Sequence, residues 1–343
     1  MKTLSFCIPV YNNARAALEL VRELLGSQDE HFEVIVCDDA SPDNTEELLS
    51  GIHDGRFRYV RNPENLGFRM NWLKSLELAE GEYLYFVIGR DRLHGESITR
   101  LIELLERAHS QNISCLKDNW SLKRDIRVYG GMRAMMRFID YGHPTGIIFR
   151  REAFRSVHGR GKYYRTSDIY PENWLMRDIL LSGPGAVIRS GVYRGEILID
   201  ESERKSAVDG GTKNILDAYY APRRRTGQFF EMIDMIDGLG DKFGTFGRGI
   251  YFHDKFYTLL QAVSTWWKRS CENPVWQSHY GQEVRQVTTR EMMRNILAAH
   301  REVRQHLREN GRYSILRELL MSLAIIRKTA SILLHGRKKY PPS

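Results

Sequence analysis

No stretch of this 343-residue chain runs twenty residues without a charge, so no segment of it is expected to cross a membrane. Cysteine is scarce. The four present, Cys7, Cys37, Cys115 and Cys271, stand far apart with no C-x-x-C, which excludes a thiolate zinc finger and a disulfide framework. Two of them fall inside expected buried strands, so they read as reduced core thiols of a cytoplasmic protein. No G-x-G-x-x-G follows the first apolar run, which sets aside a dinucleotide dehydrogenase. The same position lacks a basic Gly-rich loop for a triphosphate, which sets aside a nucleotidyltransferase. Neither an internal repeat nor a low-complexity tract is present. The start, MKTLSFCIPVYNN, has its apolar stretch broken by Pro9 and reads as a strand, not a leader peptide.

What is present is an ordinary globular composition, 42% hydrophobic and 27% charged, with a formal net charge of +8. The excess is largely Arg and favours an anionic partner. Nucleic acid is disfavoured, because neither aromatic-basic interleaving nor finger spacing accompanies the charge.

The chain is organised around Glu33 to Asn44, EVIVCDDASPDN. Val34-Ile35-Val36-Cys37 is a continuous β-rich run, the pattern of a strand buried on both faces in a parallel sheet. Asp38 and Asp39 therefore lie at its carboxyl end, where open α/β sheets bind ligands. The plain alternative is a helix-capping loop, although Asn44 already offers a cap there. Around this stretch, strands are expected at Leu4 to Val10, Phe57 to Arg61 and Tyr83 to Ile88. Helices are expected from Ala14 to Gly26, Glu46 to Ile52 and Phe68 to Ala79. This alternation is that of βαβ units.

After a surface helix, Ser97 to His109, the alternation weakens, and Asn112 to Tyr141 reads as a basic, irregular excursion over the surface. A strand at Pro144 to Phe149, a helix after Tyr170 through Leu181 and a last strand at Ala186 to Arg194 follow. Beyond Thr212 only helices are expected: Ile215 to Gly238, Ile250 to Arg269, Glu283 to Asn310 and Tyr313 to Leu334.

Three strand ends thus carry polar groups: Pro9-Val10-Tyr11, Asp38-Asp39 and Gly89-Arg90-Asp91. FCIPVYNN, then VIVCDDASPDNT, then NPENLGFRMN, in this order, resembles the nucleotide-sugar half of a GT-A fold glycosyltransferase of family 2. The resemblance covers roughly residues 2 to 194. It implies an α/β, Rossmann-like, mostly parallel sheet with flanking helices, plus a helical C-terminal region. On that basis residues 1–211 form the transferase domain, with a nucleotide-sugar half to about 95 and an acceptor half from about 96, and 212–343 form the helical region.

The resemblance implies a UDP-sugar donor and a role for each motif. Tyr11 offers an aromatic wall with Pro9 fixing the backbone beside it, and Asp39 can accept the uracil N–H, the division of work between the two carboxylates staying open. Asp38 orients the loop or touches ribose. Asn65, Gly67 and Arg69 line the base and diphosphate, with Lys74 a weaker cation candidate. Members usually carry Asp-x-Asp where this chain has Gly89-Arg90-Asp91. Asp91 keeps the position of the main ligand for Mg²⁺ or Mn²⁺, while Arg90 offers a guanidinium that can replace part of the metal's charge.

On the acceptor side stand His143, Thr145, Gly146 and Trp174. The base of an inverting transfer is commonly the Asp of a Glu-Asp pair, but this chain has Glu172-Asn173, leaving Glu172 as the candidate and Asp168 as the substitute. The Q-x-x-R-W segment of processive synthases is missing, so one sugar per binding event is expected. The implied acceptor is a glycan or lipid-linked glycan of a bacterial surface polysaccharide. The apolar and basic segment Tyr313 to Tyr340 suits the face of an anionic bilayer, a partner subunit or the body equally. Because Gly89 and Asn173 both depart from the family pattern, an inactive glycan-binding or scaffold protein is the rival reading.

Overall fold

The computed structural model describes residues 2–119, 122–139, 144–157, 171–197, 222–239, 244–272 and 288–339. Two compact units result, Met1–Glu203 and Arg204–Ser343.

In the first unit the uninterrupted apolar runs become strands closed to water on both faces. Strands β1 (Leu4–Val10) and β2 (Phe32–Asp38) are buried at every position. They pair in parallel from Leu4 opposite Phe32 to Val10 opposite Asp38. Strand β3 (Phe57–Arg61) lies outside β2, and β4 (Tyr83–Phe86) joins β1 on its other side, both in parallel.

Helix α1 (Ala14–Leu25) fills the first crossover because its Ala17, Leu20, Val21 and Leu24 recur on one face, which is buried. Helix α2 (Thr45–Ser50) follows β2, and α3 (Phe68–Glu77) follows β3. Asn44 stands at the N-cap of α2 without a side-chain cap bond. Asp43 takes that role instead, accepting from the Thr45 amide at 3.2 Å and from the Ala14 amide at 3.1 Å. A carboxylate one residue earlier therefore ties the start of α2 to the first residue of α1 as well as capping it.

The expected excursion after Asn112 needs correcting. Cys115–Asp118 is strand β6, and it sits inside the sheet rather than over the surface. Its apolar signal, Ile113 to Leu116, was short and flanked by polar and basic residues, yet these apolar side chains are wholly buried. Strand β5 (Asp91–Leu93), α4 (Ile98–Ser110), β7 (Ile126–Tyr129) and α5 (Gly131–Phe138) surround it in sequence. Then come β8 (Ile147–Arg150), α6 (Arg151–Val157) and α7 (Pro171–Leu180). The single last strand expected to Arg194 is two, β9 (Gly185–Ile188) and β10 (Tyr193–Ile197), with Gly191 turning between them at φ +87°.

The eight-stranded sheet has the order β3-β2-β1-β4-β8-β6-β9-β7, and β10 pairs separately with β5. Strand β8 runs antiparallel to both β4 and β6. The chain steps outward from β1 to β3 and then crosses back to β4, so a topological switch lies beyond the carboxyl ends of β1 and β4.

The second unit is helical throughout its described residues: α8 (Pro222–Asp237), α9 (Thr245–Glu272), α10 (Thr289–Glu309) and α11 (Ile315–Lys339). Its core includes Phe229, Phe252, Phe256, Leu260, Ile296 and Val303, all buried. Phe229 meets the rings of Phe252 and Phe256 edge-on at 5.7 and 5.8 Å. A capping box between Thr288 and Glu291 starts α10.

Candidate active site

Parallel pairing of β2, β1 and β4 sends Asp38-Asp39, Val10-Tyr11 and the turn Ile88 to Asp91 to one edge of the sheet. The antiparallel strand β8 starts at that edge with Thr145 and Gly146 before it. Three expected strand ends and one loop therefore meet at the switch point.

The two adjacent carboxylates divide the work. Asp38 is fully buried, and both its oxygens are engaged. Oδ1 accepts from the Ser41 amide at 3.0 Å and from the Ser41 hydroxyl. Oδ2 accepts from the Tyr59 hydroxyl and the Arg61 guanidinium, each at 2.6 Å. Burial, then the bond to Asp38, push the Tyr59 phenol well up, so it stays a donor. Of the two roles left open for Asp38, this network supports orienting the loop.

Asp39 is also buried, and its Oδ1 accepts from Asn62 Nδ2 at 2.9 Å and the Leu66 amide at 2.8 Å. No hydrogen bond from the described residues reaches its other oxygen. The loop before α3 thus hangs on Asp39. Within it, Gly67 takes φ +80°, a left-handed conformation that glycine adopts without strain, and its amide donates to Asn65 Oδ1 at 2.9 Å. Asn65 is exposed and Arg69, in the first turn of α3, is half-buried. Tyr11 is 49% exposed, its ring standing clear at the end of β1.

Asn62 and Asn71 were not among the residues expected at the site. Asn71, on the buried face of α3, donates to the carbonyls of Cys37 at 2.9 Å and Val10 at 3.3 Å, and accepts from Asn62 at 3.1 Å. One side chain therefore joins the ends of β1 and β2 and reaches Asp39 through Asn62. A polar residue on the packed face of a helix was the available signal, since a buried amide requires partners.

On the other side of the switch, Thr145 accepts from the Ile88 amide at 2.9 Å and donates to Asp91 Oδ2. Asp91 is completely buried. Arg90 beside it is half-buried, with no hydrogen bond or ion pair to a described residue. Gly146 takes φ +94°, and a Cβ there would lie 3.1 Å from the Asp118 carbonyl. Asp118, at the end of β6 on the same edge, was not foreseen. It accepts from Ser190 and, at 3.1 Å, from the Tyr85 hydroxyl; burial raises its pKa.

Helix α7 leads by a short connection into β9, which runs parallel to β6. Glu172 and Asn173 in the first turn of α7 are both buried. Trp174 is half-buried, its ring 4.7 Å from the Arg177 guanidinium carbon, while Lys74 is half-buried on α3. His143 and Asp168 lie outside the described residues.

The family described as Glycosyl transferase family 2 matches residues 5–178, half of the chain and all the motifs above. The chain belongs to glycosyl transferase family 2. It is 37% identical over 196 residues to uncharacterized protein MT1568 of Mycobacterium tuberculosis, covering 50% of this chain and 60% of that one. It is 25% identical over 158 residues to the Escherichia coli UDP-Glc:alpha-D-GlcNAc-diphosphoundecaprenol beta-1,3-glucosyltransferase WfaP, covering 44% of this chain and 62% of that one. The chain thus spans less than two thirds of these relatives. Among solved structures, S. aureus TarS 1-349 in complex with UDP-GlcNAc shares the fold, with a TM-score of 0.55 and 18% identity over 99% of this chain and 92% of that one.

For a family 2 glycosyltransferase the metal position is the test of fit. A Cβ at Gly89 would come 2.9 Å from Val10 Cγ2 and 3.2 Å from the Pro9 carbonyl oxygen, too close for a carboxylate side chain without a shift of β1. The described residues contain no group of three or more His, Cys, Asp or Glu able to hold a metal. Asp91 alone, buried and bonded to Thr145, does not make the oxygen cradle a hard divalent cation takes.

Proposed function

We propose that this chain transfers a sugar from a UDP-sugar, with inversion, to a glycan or lipid-linked glycan acceptor in the assembly of a bacterial surface polysaccharide. One observation carries the donor half: an exposed aromatic ring at Tyr11, an acceptor oxygen on Asp39 and a guanidinium on Arg90 with no partner among the described residues meet at one switch point. These are the groups a base, its N–H and a diphosphate require. The relative WfaP, whose name carries a UDP-sugar and a lipid-linked acceptor, and the UDP-GlcNAc complex of TarS support the same substrate class. The free buried thiols Cys7, Cys37 and Cys115 support a reducing, cytoplasmic setting.

In this reading Glu172 takes the proton of the acceptor hydroxyl as its oxygen attacks the anomeric carbon, and UDP leaves from the opposite face. Arg90 meets the charge that grows on the diphosphate, with Arg69 beside the first turn of α3. Thr145 and Gly146 shape the acceptor side.

Titration of chelator-treated protein with UDP tests the proposal, with and without added Mn²⁺. Binding in chelator is expected, and Asp39→Asn is expected to weaken it about 10- to 100-fold by turning a donor toward the base N–H. Binding that appears only with Mn²⁺ would return the diphosphate to a metal. Release of UDP from a panel of UDP-sugars separates catalysis from the scaffold reading that Gly89 and Asn173 favour.

A further inference from the structure

Helix α11 has two apolar faces and packs only one of them. Met321, Ala324 and Ile332, with the stem of Lys328, are buried, facing the helical core of the second unit. On the other side Leu316, Leu319, Leu323, Ile326 and Leu333 are exposed by 49%, 57%, 56%, 65% and 63%. At about 100° per residue the centres of the two stripes lie roughly opposite one another. The exposed row extends roughly 26 Å along the axis at the helical rise. Scattered surface leucines need no explanation, but a contiguous row of this length marks a contact site.

Charge identifies what would cover it. After Glu318 the chain has no acidic residue, while Arg337, Lys338 and Lys339 follow at the end of the same helix; of the two earlier cations, Lys328 is buried on the packed face and Arg327 lies 4.2 Å from the centre of the Tyr257 ring. A second copy of this helix would bring a like-charged strip, with no carboxylate between residues 319 and 343 to pair with it. An anionic bilayer matches both features, taking the apolar row into its acyl boundary and the basic residues at its headgroups. No described helix is long and apolar enough to cross a membrane, so α11 would lie in the plane of the interface.

We propose that α11 is a monotopic anchor that docks its exposed Leu/Ile row onto an anionic phospholipid surface. The inference stands on the helix itself. It adds to the transferase reading a place where a lipid-linked acceptor resides, and its test uses neither nucleotide nor acceptor.

The full chain is floated with vesicles of phosphatidylglycerol and phosphatidylcholine, and with phosphatidylcholine alone. Co-flotation with the anionic vesicles only, diminished by added salt, is expected. The double variant Leu323→Glu/Ile326→Glu should lose at least about tenfold of the bound fraction. Its melting temperature and UDP affinity should be unchanged, since both positions face outward. Lys338→Glu/Lys339→Glu should weaken binding less and reduce its salt dependence. Absence of co-flotation, equal binding to both vesicle types, or equal binding by the double variant would overturn the proposal. So would a solution dimer that the double variant dissociates, because the row would then belong to a second copy.

Discussion

Asp38 and Asp39 are neighbours in the chain and unlike in their surroundings. Four donor contacts saturate Asp38, whereas Asp39 gives one oxygen to the loop before α3 and takes no hydrogen bond from the described residues on the other. The next residue shows what this arrangement costs the backbone. Ala40 takes φ +55°, in the left-handed region where a Cβ crowds the following carbonyl. Ala40→Gly is therefore expected to raise the free energy of unfolding by about 1 kcal/mol, read from denaturant titration, with UDP affinity retained. At Glu172 the expectation concerns chemistry instead. Glu172→Gln keeps the shape of the side chain and removes its basicity, so kcat should fall by about 10²- to 10⁴-fold while UDP binding holds. A retained rate would assign the base elsewhere. The acid pair was legible because two carboxylates closed a run of β-branched residues. Which of them is saturated was not, because that depends on Tyr59, Arg61 and Asn62, about twenty residues further on.

Elements whose apolar pattern is long and regular were legible almost to the residue. Strand β1 and helix α1 follow from their own periodicity, whereas α10, expected from Glu283, is a helix from Thr289 behind a capping box that the apolar pattern did not mark. Strand β6 did not, because four residues among basic neighbours carry too little pattern, and only its place between β8 and β9 makes them core. At the opposite edge of the sheet from the cleft, Glu33 on β2 joins elements that no local pattern connects. It accepts from the Ser5 hydroxyl at 2.6 Å, the Glu80 amide at 2.7 Å and Lys2 Nζ at 3.1 Å. Burial by itself would raise its pKa, but these donors outweigh burial and hold the carboxyl below its ordinary value. A depressed native pKa stabilises above the ordinary carboxylate range and is lost as pH falls through it. Glu33→Gln should thus cost about 2 kcal/mol at neutral pH. The gap to the wild type should narrow on acidification in paired denaturant titrations; a gap that widens toward low pH would reverse the sign.

Across the whole molecule, burial of three cysteines offers a global readout. Cys7, Cys37 and Cys115 are free and wholly buried. Burial raises all three pKa values, that of Cys37 to about 11. With almost no thiolate and no access, these thiols should stay silent to a chromogenic disulfide reagent at mildly alkaline pH. They should react together once denaturant unfolds the sheet, and early reaction of any of them would show local opening at its strand. The amino-acid sequence by itself determined the alternation of strands and helices, the polar strand ends and the family they resemble, because each is a local pattern of side-chain type. Only the tertiary structure decided that Asn71 ties β1 to β2, that Asp91 is shut away behind Thr145, and that α11 leaves one apolar face unpacked by the chain itself. Those facts depend on which distant residues come to lie within hydrogen-bonding or packing distance, and no local pattern encodes that.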